Sequence, residues 1–133
     1  MSGDRKEKIV LYCCENSSYK AFQAIEDSKG LDIVEAVPLP CSGKIEIGII
    51  LKSLEMGYAG VLILGCPKDN CKFIRGNYRA EKRIEMARDS LERAGLSPDR
   101  VQIDFLSSVD HHKCRQIIEE MAARLFNTEG AKA

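Results

Sequence analysis

Residues 60–65, GVLILG, contain no polar side chain, and this run restricts the possible folds more than any other feature of the sequence. A strand with one face in water alternates polar and apolar residues, whereas a wholly apolar strand must be covered on both faces. The run is also far shorter than the roughly 20 residues of a membrane-spanning helix. It therefore predicts the central strand of a parallel sheet with helices on both sides.

The rest of the chain alternates predicted strands with predicted helices. Strands are expected at 8–13, 31–37, 60–65 and 100–106, and helices at 18–29, 44–56, 77–94 and 110–126. Right-handed crossovers between such units give an α/β fold with a single open four-stranded parallel sheet of order 2-1-3-4, flavodoxin-like, with helices on both faces. We expect one domain at 8–126, flanked by a flexible N-terminus at 1–7 and a flexible tail at 127–133.

The balanced charge and the lack of several known motifs disfavour nucleic-acid binding, nucleotide binding and phosphatase chemistry. Twenty Lys and Arg balance twenty Asp and Glu, so the formal net charge of zero disfavours nucleic-acid binding. The polar start of the chain has no apolar signal region behind it, which predicts a cytoplasmic protein without membrane insertion. Nucleotide-binding glycine motifs are missing from the sequence. The segment 13–20, CCENSSYK, also lacks the glycine of a flavodoxin phosphate loop and the arginine of a C-x5-R phosphatase loop.

Five of the six cysteines follow or end predicted strands. They are Cys13, Cys14, Cys41, Cys66 and Cys71. The carboxyl ends of parallel strands share one edge of the sheet, with neighbouring strands about 4.8 Å apart, so these thiols are expected to converge. Cys114 instead lies on the apolar side of the last predicted helix, where a cysteine behaves as a small core hydrophobe.

In a reducing compartment, such a cluster of thiols indicates metal binding or redox chemistry rather than disulfides. Structural zinc sites usually use two closely paired sets of cysteines, a pattern that the adjacent Cys13 and Cys14 do not supply. Cys66 and Cys71 form C-x4-C, a spacing that occurs in iron-sulfur proteins. The pattern favours an iron-sulfur cluster, and zinc or unligated redox thiols remain alternatives.

The chain resembles the delta, iron-sulfur, subunit of methyl-viologen-reducing hydrogenases from Lys8 to about Arg124. The resemblance rests on the double cysteine after the first strand, Pro-Cys-Ser-Gly at 40–43, GVLILGC at 60–66, C-x4-C at 66–71, and the Gly-Asn-Tyr and Ala-Glu-Lys-Arg segments at 76–78 and 80–83. It implies a [2Fe-2S] cluster that relays electrons between a hydrogenase, or another oxidoreductase, and a protein like the A-subunit of heterodisulfide reductase. Several assemblies of this kind are electron-bifurcating.

The resemblance also implies a ligand set. It favours Cys14, Cys41, Cys66 and Cys71 as cluster ligands, with Cys13 in reserve. The family usually has C-x2-C after the first strand, whereas Ser17 stands three residues after Cys14 here. Asn77 and Tyr78 would tune the reduction potential by hydrogen bonds around the ligands.

Such a chain would be a non-catalytic electron-transfer subunit, since the sequence shows neither a flavin motif nor a substrate motif. Two alternatives stay open at this point. The chain could be a cluster-bearing scaffold that docks an oxidoreductase onto its partner, or a thiol redox protein that uses Cys13 and Cys14.

Overall fold

The computed structural model describes residues 8–15, 18–27, 31–39, 46–65 and 76–126. The strands are β1 (Ile9–Cys14), β2 (Val34–Leu39), β3 (Gly60–Gly65) and β4 (Val101–Phe105). The helices are α1 (Ser18–Gln23), α2 (Ile47–Glu55), α3 (Gly76–Arg93) and α4 (His111–Phe126). Short 3-10 turns at Leu31–Ile33 and Pro98–Arg100 lead into β2 and β4.

The four strands form one parallel sheet of order β2-β1-β3-β4, which confirms the predicted fold and strand order. All six residues of β3 are buried, as its apolar sequence predicts. The sheet separates two apolar layers. Residues of α1 and α4 contribute to one layer, and residues of α2 and α3 contribute to the other, so helices cover both faces.

Glycines end two of the helices where the sequence predicts it. Gly57 follows α2 with a φ of 107°, and Gly95 follows α3 with a φ of 83°. Both values lie in the left-handed region, which costs a residue with a side chain more than it costs glycine. These stops return the chain to the amino edge of the sheet, where β3 and β4 begin.

The second strand differs from its prediction, because it runs from Val34 to Leu39 rather than over 31–37. Pro38 lies inside the strand, level with Cys13, instead of in the following loop. The amide of Glu15 donates to the carbonyl of Leu39 at 2.7 Å, so the backbone of Leu39 faces β1 and that of Pro38 faces the open edge. A proline is tolerated there because an edge strand needs no donor on its outer side.

Two helices are shorter than predicted. The first ends at Gln23 rather than near residue 29. There the amide of Ile25 donates to the carbonyl of Phe22 at 2.9 Å, three residues back, which tightens the last turn and keeps Ile25 buried. The helix predicted at 44–56 begins at Ile47, after an extended Glu46. The predicted flexible ends at 1–7 and 127–133 lie outside the described residues.

At the amino edge of the sheet, two arginine side chains donate hydrogen bonds to backbone carbonyls. The guanidinium of Arg100 donates to the carbonyls of Ala59 and Tyr58 at 3.0 and 2.9 Å. That of Arg88 donates to the carbonyl of Val101 at 2.8 Å. Within the described part of the chain, no helix is both long enough and apolar enough to cross a membrane.

Candidate metal centre

The carboxyl edge of the sheet brings together the strand ends that precede the predicted ligands. Cys14 is the last residue of β1 and pairs with Leu39, the last residue of β2. On the other side of β1, Cys13 pairs with Leu64, one residue before the end of β3. Three neighbouring strands therefore end at the same level. Cys66 directly follows the end of β3 in the sequence, and Cys41 comes two residues after β2.

Only part of the predicted site can be placed. Cys41, Cys66 and Cys71 lie outside the described residues, as does any contact that they make. Among the residues that are described, no group of three or more His, Cys, Asp or Glu side chains could hold a metal ion. The backbone of Asn77 and Tyr78 is described and lies in the first turn of α3. The assignment of these residues to the site therefore stays a prediction.

The structure separates Cys13 from Cys14, although they are adjacent in the sequence. Successive side chains of a strand point to opposite faces of a sheet. Cys13 shares the α1 and α4 layer with Leu11 and Cys114. By this alternation Cys14 lies on the face of Val10, which belongs to the α2 and α3 layer. Both cysteines are buried, with 0% and 2% of their surface exposed.

The environment of Cys13 is that of an inert core thiol. Burial raises the pKa of Cys13 far above its usual value, and the nearby thiols of Cys114 and Cys14 raise it further. Its Sγ–H points to the carbonyl of Val37 at 3.9 Å. Burial also raises the pKa of Cys114 to about 11. Reactive cysteines have a lowered pKa, so this arrangement does not favour nucleophilic chemistry at Cys13.

Cys114 behaves as the sequence predicts. It is fully buried on the inner side of α4, in the layer that contains Ile118 and Met121. Its amide donates to the carbonyl of Asp110 at 2.9 Å, which places it in the first turn of the helix. The prediction that this sixth cysteine belongs to the core is confirmed.

Ser18 is a residue of this edge whose contribution sequence reasoning missed. The sequence suggests only that it could cap the helix that follows β1. In the structure it is the first residue of α1, has no exposed surface, and lies between two strand ends. Its hydroxyl accepts a hydrogen bond from the amide of Cys14 at 2.9 Å and donates one to the carbonyl of Leu64 at 2.5 Å. A serine four residues after a strand gives no signal of this in the sequence.

The donor set at this edge fits an iron-sulfur cluster. Four thiolates are the usual ligands of such clusters, and in the sequence five cysteines end or follow three strands that are neighbours in the sheet. Cys13 and Cys14 are the cysteines of this set that the structure describes, and Cys14 lies at the level where the strands end. The same thiols could bind zinc, so the sequence and the strand order together define a class of protein: a small α/β domain whose cysteines end or follow strands at the carboxyl edge of its sheet.

Comparison with known proteins gives the family. Residues 9–127 match the model of the methyl-viologen-reducing hydrogenase delta subunit family, and the chain belongs to that family. The match spans all four strands and the four helices, so it includes the whole described fold.

Individual relatives agree with this assignment. The chain is 31% identical over 119 residues to the vhu iron-sulfur subunit of the F420-non-reducing hydrogenase of Methanocaldococcus jannaschii, with 88% of this chain and 89% of the relative covered. It is 32% identical over 118 residues to the protein of the same name from Methanopyrus kandleri, with 87% and 89% covered.

A further relative is much larger. The chain is 28% identical over 123 residues to the A-subunit of the ferredoxin/F420H2-dependent CoB-CoM heterodisulfide reductase of Methanosarcina acetivorans. The match includes 88% of this chain but 15% of that protein. A segment similar to this chain is therefore part of a longer polypeptide in that relative.

Proposed function

We propose that this chain is a cytoplasmic electron-transfer subunit that carries a [2Fe-2S] cluster. The observation that carries the proposal is the alignment of the ends of β2, β1 and β3 at one edge, with Cys14 at the end of the middle strand. The family assignment and the iron-sulfur names of the relatives support the same conclusion.

In this proposal Cys14, Cys41, Cys66 and Cys71 hold the cluster, which supplies a carrier for one electron when it is bound. Cys13 lies in the α1 and α4 layer, on the opposite face of the sheet from Cys14. This position favours Cys14 as the ligand from β1 and leaves Cys13 as the reserve. Asn77 and Tyr78, at the start of α3, would donate hydrogen bonds that tune the potential.

The proposed partners are larger redox proteins. Electrons would pass between a hydrogenase or another oxidoreductase and a protein like the A-subunit of heterodisulfide reductase, within an electron-bifurcating complex. The names of the relatives support both partners. The chain would hold the cluster between them and perform no substrate chemistry of its own.

The purified chain tests this proposal. After anaerobic purification we expect a brown protein with about two irons per chain and visible absorbance that dithionite bleaches. Cys66→Ala should lose the iron and the absorbance. Cys114→Ala is the matched control, because it removes a thiol from the core, and should keep both. Stoichiometric zinc without iron in the wild-type chain would contradict the proposal.

Docking is the second candidate function, favoured by the similarity to a segment of a heterodisulfide reductase subunit. A docking subunit would hold a cluster that takes no part in turnover. Rapid-mixing spectroscopy with the partner decides between the two. Reoxidation of the reduced cluster within the turnover time supports the relay, and slower reoxidation supports docking.

A further inference from the structure

The outer face of α2 exposes an apolar surface that continues onto β2. Ile49 in α2 and Met56 directly after it are 41% and 40% exposed, and both line an open cavity of about 360 Å³ beside Tyr12. Val37 of β2 pairs with Tyr12 in the sheet and is 38% exposed. Paired residues of neighbouring strands present their side chains on the same face, so Val37 extends this surface. We call Tyr12, Val37, Ile49 and Met56 the α2 patch.

The α2 patch concentrates the exposed apolar surface of the described residues. It holds three of the six large apolar residues that are exposed in this part of the chain. The other three, Met86, Leu96 and Val109, belong to α3, to the turn after it and to the loop before α4. Single exposed apolar residues are common on globular proteins, whereas a contiguous group of them indicates an interaction surface.

Gly48 leaves space in the same surface. It lies in the first turn of α2 and lines the cavity, and a Cβ added to it would have no described atom of the rest of the chain within 4 Å. Glycine in a helix is less stable than alanine by up to about 1 kcal/mol. Neither the helical backbone nor the packing of the described residues therefore calls for glycine here. A missing Cβ on a helix surface allows a second backbone to approach closely.

Two exposed charges of opposite sign flank Ile49. Glu46, whose carbonyl accepts from the amide of Ile49 at 3.0 Å, precedes it by three residues, and Lys52 follows it by three. With a rise of about 1.5 Å per residue, each charged residue lies about 4.5 Å from Ile49 along the helix. The carboxylate of Glu46 does not cap α2, and the ion pairs within the described residues include neither Glu46 nor Lys52.

This arrangement of charge is self-complementary. A twofold axis at Ile49 that places two copies of α2 antiparallel brings Glu46 of each copy beside Lys52 of the other. Interfaces between identical subunits related by a twofold axis need this property, because the same surface contributes both sides. An unrelated partner would need no such balance of charge about Ile49.

We propose that the α2 patch is the interface of a homodimer, in which two antiparallel copies of α2 pack against each other about Ile49. The missing side chain of Gly48 lets the helix axes approach to about 8 Å, the close end of the usual range. The apolar residues become buried, and the two pairs of Glu46 with Lys52 form a polar rim. The inference goes beyond the proposed function, since it involves no cysteine ligand and does not depend on the cluster.

Charge reversal in the full chain tests the twofold arrangement. Sedimentation equilibrium of the wild-type chain should show a dimer that dissociates on dilution. Glu46→Lys and Lys52→Glu each create two like-charged pairs in the dimer, and each should weaken association about tenfold. A mixture of the two variants should regain association close to that of the wild type, because a chain with two lysines at these positions then meets a chain with two glutamates.

Ile49→Glu tests the apolar centre of the interface, with Met86→Glu as the matched control. Both replace an exposed apolar side chain with a charged one, but Met86 lies on α3, outside the α2 patch, and is 50% exposed. Ile49→Glu should make the chain monomeric, because it places two carboxylates at the twofold axis. Met86→Glu should keep the wild-type dimer. Circular dichroism checks that each variant folds, and if Ile49→Glu does not, the mixture of charge variants decides.

Several results would overturn the inference. One is a wild-type chain that stays monomeric at every concentration up to about 1 mM. Others are a dimer that a folded Ile49→Glu chain still forms, and single charge variants whose mixture does not regain association. A chain that is monomeric alone but binds a larger redox protein through the α2 patch also overturns it, and would assign this surface to that partner.

Discussion

Cys13 and Cys14 are neighbours in the chain but face opposite layers, so replacing each with alanine should have different effects. Cys13→Ala removes a sulfur atom from a fully buried site in the layer that contains Cys114. Loss of one methylene-sized group from an apolar site costs about 0.8 kcal/mol. A residual cavity of about 20 Å³ adds about 0.5 kcal/mol at about 24 cal/mol per Å³.

The total, about 1.3 kcal/mol, should lower the melting temperature by about 5 °C in a domain of this size. Cys13→Ala should nevertheless keep the iron, the visible absorbance and the midpoint potential of the wild-type chain. Cys14→Ala should lose the cluster, because Cys14 is the proposed ligand at the end of β1.

Iron analysis, visible spectroscopy and thermal unfolding of the two variants, all under anaerobic conditions, make the comparison. The decisive quantity is iron per chain, since both variants lose a buried thiol and either could lose stability. If Cys13→Ala loses the iron and Cys14→Ala retains it, the reserve ligand is the true one. The assignment from the two layers of the sheet is then refuted.

Three further substitutions test the fold. Gly60→Ala should destabilise the chain by about 1 kcal/mol in urea unfolding, because a Cβ there would lie 3.1 Å from the backbone carbonyl oxygen of Arg100 and would displace the side-chain ends of Leu125 and Met121. An unchanged midpoint would refute that packing. Tyr12→Phe should cost about 1 kcal/mol by the same assay, through loss of the hydroxyl contact with Ser53. No loss would show that this contact contributes nothing. Hydrogen bonds from Ser107 lower the pKa of Asp110 in the folded chain. Its carboxylate therefore stabilises the fold at pH values above the pKa of the unfolded chain. This stabilisation is lost as the pH falls through the lower pKa of the folded chain. Asp110→Asn should therefore weaken the acid dependence of the melting temperature, and an unchanged acid profile would contradict this.

Local patterns predicted most of the architecture. The apolar run at 60–65 requires cover on both faces, and the alternation around it leaves little choice of strand order. Boundaries were predicted less well where a neighbour decides them. Pro38 appeared to end the second strand, but it lies within β2 because that strand is at the edge of the sheet and Pro38 faces outward.

At the candidate site, the sequence alone determined that cysteines end or follow three predicted strands, and it hence predicted that the carboxyl edge carries the chemistry. The tertiary structure decided on which face of the sheet Cys13 and Cys14 each lie. The pleat of a strand places successive side chains on opposite faces, but the packing of the helices decides which layer covers each face. It also decided the contacts of Ser18. Its hydroxyl bonds to the amide of Cys14 in β1 and to the carbonyl of Leu64 in β3. These two strands are separated by a long stretch of sequence and become neighbours only when the sheet forms.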